Sequence, residues 1–475
     1  MRARLANSSS SPPGPFLHFA ARCVDVTPST GSPMAGYMAR GREPAIGLLD
    51  PLEATLVRLR DPRPGGGSVT WVALDALAVD VALARSIAEA VAAASDVAPD
   101  DVVVCASHTH AGPSGWLRGI PFAAPEPGDP DMRAQLIRRI GGAAGGLARD
   151  ELQVRTHLAV GEATGVGTNR TDPGTPSDRS LGALTMVDDR GAAVGLLVDH
   201  ASHATVLGHD NRRWSADWPG AGRRTLAHSL RGQTPFAEGE AERARPTAVG
   251  TPIVAFLQGA AGDASPRFVR RGQSPAEVDR IGGLFAAQAL VAVLAADRSE
   301  VEDSAVAVRR RSVPVPTRAL ADPAVLAQRV ETAEREWRTV VAAEGSGTPA
   351  ERIARTRHEG ALTAAALAVA GLPSSLELPV SVVVVGPDAW LHVPVELFSS
   401  FAVEIREASP FRQTRVIGYA DGYFGYVADA EAHERQTYEA SSSPFDPAGS
   451  RTLVDAAIDL LRRTHDELWP GRNRA

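Results

Sequence analysis

Three consecutive segments constrain the fold more than any other part of the chain. Val69–Leu74 reads as an apolar strand, Val81–Ser95 is alanine-rich with helical apolar spacing, and Val102–Ala106 is an unbroken apolar run. Pro99-Asp100-Asp101 ends the connection before that run. Strand, helix, strand in this order is a βαβ unit, whose crossover returns the second strand parallel to the first. The sheet is therefore at least partly parallel. The expected class is α/β, with mixed β-sheets flanked by helices. Ahead of the unit, Glu53–Arg60 alternates like a half-buried strand, and Pro64-Gly65-Gly66-Gly67-Ser68 turns it back into Val69–Leu74 as a hairpin.

The last strand of the unit runs into Ser107-His108-Thr109-His110. In an extended segment, residues i and i+2 share a side, so two imidazoles are expected to emerge together. They do so at a strand end, where open α/β sheets place their ligands. Gly112-Pro113-Ser114-Gly115 turns the chain at once. Alone, a His-x-His pair is weak evidence for a metal. Three more segments share the design of an apolar strand followed by a polar turn. Val194–Val198 leads to Asp199-His200-Ala201-Ser202-His203, Ile253–Leu257 to Gly262-Asp263-Ala264-Ser265-Pro266, and Trp390–Val393 to Glu396. A further stretch, Asp421–Tyr426, is rich in glycine and aromatic residues.

Strand ends in one sheet converge on one cleft. Two or three histidines, one carboxylate and a position open to water form the ligand set of a catalytic zinc site, although iron and manganese accept similar donors. Each residue also has a plainer reading. His200 and His203 suit the surface at a strand end, and Glu396 suits the start of a helix from Leu397. Asp263 and Ser265 suit a turn and a cap. Tyr426 and Tyr438 suit the core, Asp75 and Asp80 a structural role, and Asp217 a turn or a supporting position. A serine hydrolase is the weaker alternative. No Gly-x-Ser-x-Gly elbow follows any strand, and Ser265, the one plausible nucleophile, is followed by Pro266.

Helical patterns cover 133–148, 276–297 and 451–468. The polar 232–250 reads as a surface insertion. The charged 320–372, broken at Gly345-Ser346-Gly347-Thr348-Pro349, reads as a helical hairpin on the surface. Residues 1–15 read as a disordered tail, and 16–475 as one compact domain. With 475 residues and 44% hydrophobic content, the chain can build a core of that size. Lys and Arg number 49 against 56 Asp and Glu, a net charge of −7 with scattered arginines, which gives nucleic acid no basic patch. Cys23 and Cys105 are too few for a disulfide framework. No apolar stretch long enough to span a membrane is expected, and the tail lacks a secretory apolar core. The expected location is the cytoplasm.

Taken together, Ser107-His108-Thr109-His110-x-Gly112-Pro113, Asn169-Arg170, His203 with Ser215-Ala216-Asp217, Gly262-Asp263-Ala264-Ser265-Pro266, Glu396, and Tyr426-Val427 through Gln436-Thr437-Tyr438-Glu439 occur in the order of one family. The chain resembles the catalytic domain of the neutral, non-lysosomal ceramidases from about Val24 to Glu439 and into the closing helix. That family cleaves the amide of N-acylsphingosine with one zinc ion. The resemblance implies one zinc per chain on His108, His203, Glu396 and Tyr426. It also implies that His110, Arg170 and Tyr438 surround the scissile carbonyl and that Ser265 faces the substrate. The implied substrate is a small-molecule or lipid N-acyl compound. The same site acting on a non-lipid amide or ester, or forming an amide by acyl transfer, is the nearer alternative. A non-catalytic binding protein is the more distant one. The family's C-terminal immunoglobulin-like domain has no counterpart before Ala475, so the resemblance is to a short bacterial-type relative. Thr205 follows His203-Ala204 where the family usually has a proline after the histidine.

Overall fold

The computed structural model describes residues 16–41, 43–117, 130–233, 250–296 and 305–470. The expected tail 1–15, and most of the expected insertion at 232–250, lie outside the described residues. The larger sheet contains β1 (Leu17–Asp25), β2 (Glu53–Arg60), β3 (Ser68–Leu74), β4 (Val102–Ala106), β5 (Leu152–Glu162), β6 (Ser180–Val187), β7 (Ala193–His200) and β8 (Ile253–Gln258). Their spatial order is β8-β7-β6-β5-β1-β2-β3-β4. The central pairings are antiparallel, while β3/β4 at one edge and β7/β8 at the other are parallel. Helix Val81–Ala94 makes the first parallel crossover, as the sequence predicts. Helix Asp217–Leu230 makes the second. Of the two readings for Asp217, a turn or a supporting position, the second holds: Asp217 opens a helix and supports the loop before it.

The smaller sheet runs β9 (Val306–Pro316), β10 (Ser375–Val385), β11 (Asp388–His392) and β12 (Gln413–Ile417), with the last pair parallel. The two sheets pack face to face. Trp71, Val103, Cys105 and Leu197 of the larger meet Val383, Val385, Trp390 and Ile417 of the smaller. The Trp71 and Trp390 rings meet edge to face, 6.1 Å between centroids. Val102, Val104 and Ala106 point the other way, into a core shared with Leu83, Ile87, Trp218 and Phe285 of the covering helices. Burial on both faces is why β4 is a continuous apolar run rather than an alternating one. On the outer face of the smaller sheet, Val382 and Leu391 pack with Ile405, Leu453 and Leu461 from helices Ser399–Ala408 and Pro447–Leu468. The layers are helix, sheet, sheet, helix.

Helix Pro275–Ala295 is long and apolar enough to cross a membrane by length and composition. Its Val278, Ile281, Phe285, Ala289 and Val293 are nevertheless buried in the core beneath the larger sheet. Both cysteines are free. The helical hairpin forms from Pro323–Glu344 and Pro349–Ala370. It does more than lie on the surface: its second helix packs on the short helix Tyr438–Ser442, and Thr363 touches Met38.

Candidate metal centre

Coiling of the larger sheet brings the ends of β4 and β7 together, although they lie near opposite edges. Thr109 forms a parallel bridge with Ala204, which sets His108 and His110 beside His203. Further bridges, Cys105–Ala420 and Gly259–Ile417, carry the second sheet's strand ends to the same place. Gln258 fastens the junction. Its side-chain amide donates to the carbonyls of Ser107 (3.1 Å) and Ser202 (2.9 Å), the peptides just before His108 and His203. Its oxygen accepts from the Ser202 amide at 3.3 Å. Glu396 arrives on the short strand Glu396–Leu397, which pairs in parallel with Tyr426–Val427 so that Glu396 and Tyr426 are register partners.

His108 does not continue the strand. Its φ of 60° is left-handed, as are those of Tyr419 and Asp421 nearby. Such conformations cost a non-glycine residue roughly 1–3 kcal/mol and gather at functional sites. The two imidazoles therefore meet, 4.9 Å between ring centroids, because the chain turns at His108 rather than because strand residues alternate. Asp421 is held at its position because its carboxylate accepts from the Val104 amide at 2.8 Å and pairs with Arg310 at 2.7 Å.

The tautomers follow from the backbone. Nδ1 of His108 lies 2.8 Å from the Leu77 carbonyl, and Nδ1 of His203 lies 2.7 Å from the Ala261 carbonyl. A carbonyl only accepts, so both Nδ1 atoms carry the proton and both Nε2 atoms present lone pairs. Those lone pairs face a carboxylate: Oε2 of Glu396 is 3.3 Å from Nε2 of His108 and 3.1 Å from Nε2 of His203. Nε2 of His110 is 3.3 Å from Nε2 of His108. His108, Glu396 and His203 are all buried. Arg170 answers the His203 lone pair from one side at 3.1 Å, and acceptors that otherwise face acceptors in a dry site need a cation or extra protons between them. The spacing fits a cation, since ligands at ~2.1 Å from tetrahedral zinc lie roughly 3.4 Å apart. The backbone-anchored Nδ1 atoms are the support that metal-binding histidines ordinarily have.

Burial opposes ionisation of Glu396, but charge and hydrogen bonding from His108 and His203, which need a proton at Nε2, outweigh it and hold the carboxyl well below the usual carboxylate range; a bound cation would take the place of those protons. The tyrosine hydroxyls of Tyr423 and Tyr419 donate to the Glu396 carboxylate, the latter at 3.3 Å. Burial, with Arg170 adding to it, lowers His203 to about 4, and burial with His108 and His203 lowers His110 well below its ordinary value. Both imidazoles are neutral at pH 7.

Arg170 ties the surroundings together. It reaches Nε2 of His203 and the Tyr426 hydroxyl, each at 3.1 Å, and is paired with Glu439. Its guanidinium lies 5.3 Å from the Tyr426 ring centroid and 5.7 Å from that of Tyr438. Burial pushes the Tyr426 phenol well above its ordinary pKa despite Arg170, so this side chain is a neutral phenol in the protein alone. Ser265 is buried, and its hydroxyl accepts from the Arg267 amide at 3.3 Å as the cap of the turn Pro266–Phe268. Asp263 accepts from the Ser399 amide and hydroxyl, which ties its loop to the start of a distant helix, so only Ser265 has the cap role of the plainer reading.

The structure thus gathers His108, His110, His203, Glu396, Arg170 and Tyr426 in one contact network, with Tyr438 against Arg170. His200 stands apart, its ring 6.0 Å from both Trp218 and Phe285. Glu396 does not cap a helix; Phe398 holds that position in Ser399–Ala408. Asp217 accepts from the amides of Val206, Leu207 and Trp218 and so shapes the loop after His203. Sequence reasoning missed Gln258, Tyr419, Tyr37 and Arg40. The Tyr37 ring lies 4.9 Å from His110, and Arg40 donates to the His110 carbonyl at 3.0 Å. Only the aromatic density around Tyr419–Tyr426 gave a signal.

No family model and no curated protein matches the chain. Solved structures do. A crystal structure of neutral ceramidase from Pseudomonas aeruginosa superposes with a TM-score of 0.72 at 19% identity, covering 97% of this chain and 76% of that one. A ceramidase complexed with C2 superposes with a TM-score of 0.72 at 18% identity, covering 97% and 77%. Nearly the whole of this chain therefore shares the fold of these ceramidase structures.

Proposed function

We propose that the chain is a zinc-dependent hydrolase of carboxamide bonds in N-acyl substrates. The observation that carries this reading is the buried convergence of two backbone-oriented Nε2 lone pairs and one carboxylate oxygen at 3.1–3.3 Å. His108, His203 and Glu396 would hold the ion, with Tyr426 as fourth ligand once its phenol gives up a proton. When bound, zinc polarises a carbonyl and makes water nucleophilic near neutral pH.

The remaining groups have roles set by their position. Arg170 is a fixed cation beside His203 and Tyr426, suited to the negative charge that develops on the carbonyl oxygen. The Tyr438 hydroxyl, on a ring 5.7 Å from the Arg170 guanidinium, is a second donor. His110 is neutral, 3.3 Å from His108, and its Nδ1 is buried without a partner among the described residues. It can take the proton of the attacking water and return it to the leaving amine. The test is amine release from a series running from ceramide to short N-acyl amines, with zinc-loaded and chelated protein. Zinc-dependent release from at least one member supports the reading. A zinc-loaded protein inert toward the whole series contradicts it.

A further inference from the structure

A cleft of about 890 Å³ lies between the helical hairpin and the segment that carries Tyr438. Its floor is apolar, with Leu326, Val325 and the alanines of both hairpin helices. Its polar lining is dominated by Arg318, Arg329, Arg357 and Arg435 against the single carboxylate of Glu336. These arginines come from four separate elements: the end of β9, the two hairpin helices, and the turn before Tyr438. Arg435 is paired with Glu431 at 3.1 Å, and Arg318 donates to the carbonyls of Ala440 and Ser441. Arg329 and Arg357 are exposed at the cleft rim and have no carboxylate partner among the described residues. Nε2 of His433, in the same lining, is buried and has no partner among the described residues. Arginines gathered along a concave face focus a positive potential that concentrates anions there.

The cleft adjoins the candidate centre. Tyr438 belongs to its wall, and the same ring lies 5.7 Å from the Arg170 guanidinium and 5.9 Å from the Tyr426 ring. The hairpin fits closely there: a Cβ on Gly360 would come within 3.5 Å of the Tyr438 ring.

We infer that this cleft is a subsite for an anionic substituent of the substrate, a carboxylate or phosphate joined to an apolar chain. The inference rests on the hydrolase reading only in calling the ligand a substrate. An apolar floor with a cationic rim suits an amphiphile that carries a negative end, and a charged group paired there gains more than a neutral one. A wholly neutral N-acyl lipid makes no use of that positive potential.

Two measurements test this. The first compares kcat/KM for dodecananilide with that for the monoanilide of dodecanedioic acid, and with that for N-dodecanoylglycine, in native protein and in an Arg329→Gln/Arg357→Gln variant. At least one acidic substrate is expected to be preferred by about 10-fold or more in the native protein, with the ratio falling toward unity in the variant. The second measures dodecanoate binding by calorimetry to His203→Ala protein with and without the arginine substitutions, so that no hydrolysis is needed. Binding that weakens about 10-fold with the arginines removed supports the subsite even if no amide is cleaved, and then only the hydrolase reading fails. Equal dodecanoate binding in the presence and absence of Arg329 and Arg357, or equal use of neutral and acidic substrates, overturns it.

Discussion

Gln258→Met asks whether one buried amide holds the two histidine-bearing strand ends in register. Gln258 is fully buried, and its side chain answers three backbone groups: the carbonyls of Ser107 and Ser202 and the amide of Ser202. Methionine keeps the length and removes both polar ends. Each group left buried and unanswered costs ~1–3 kcal/mol, so the loss sums to roughly 3–9 kcal/mol before any relaxation. That is a large part of the ~5–15 kcal/mol by which a domain is stable. Urea unfolding of metal-free protein reads the stability, and calorimetric titration with zinc reads the affinity. Affinity should fall about 10–100-fold, as it does when groups supporting metal ligands are lost. Gln258→Glu keeps the side-chain length and, when protonated, restores one donated bond, so it should lie between native and Gln258→Met in both measurements. A Gln258→Met protein with the native urea midpoint and native zinc affinity would refute the reasoning.

Other expectations follow from the same geometry. Ser265→Ala removes a cap on a three-residue turn and should leave a substantial fraction of amide hydrolysis; complete loss together with a trapped acyl-enzyme in native protein would restore a serine mechanism. His392 is buried between the sheets, where its Nε2 accepts from the Trp71 indole at 3.1 Å. Burial, with Arg310 adding to it, lowers its pKa from 6.5 to about 3. Between those values the unfolded chain binds the extra proton, so this stability is whole above 6.5 and is lost as the pH falls toward 3. The slope from this one group reaches ~1.4 kcal/mol per pH unit. His392→Gln should flatten the urea midpoint against pH across that range, and an unchanged slope would show that His392 is not the group responsible.

What the sequence made legible were the segments whose physics is local. Val102–Ala106 is apolar throughout because sheet and helix cover its two faces, and Val81–Ala94 carries its buried stripe at helical spacing with Asp80 as its cap. Strands whose polar residues find partners far away were not legible. β9 contains Arg309-Arg310-Arg311, which looks like exposed loop until Glu467, Asp421 and Asp459 appear as their partners. β1 mixes His18 and Arg22 into an apolar run, yet it lies inside the larger sheet, paired on both sides. The candidate site was legible in its histidines and in Glu396 as types of residue at strand ends. The alternatives for Glu396 could not be separated locally. Its amide is bonded to the Gly425 carbonyl at 2.9 Å, a contact between residues far apart in the chain, and this turns the carboxylate toward the histidines rather than toward a helix end. Gln258 gave no signal because a polar residue at a strand end is ordinary until its three partners are known.

The central claim is that His108, His203 and Glu396 form one metal centre. Its most direct test is elemental analysis of purified native protein beside Glu396→Ala, each loaded with zinc and then dialysed. The account predicts about one zinc per native chain and almost none in the variant, with both proteins folded. A native protein that retains no metal, or a Glu396→Ala protein that retains it in full, would contradict it.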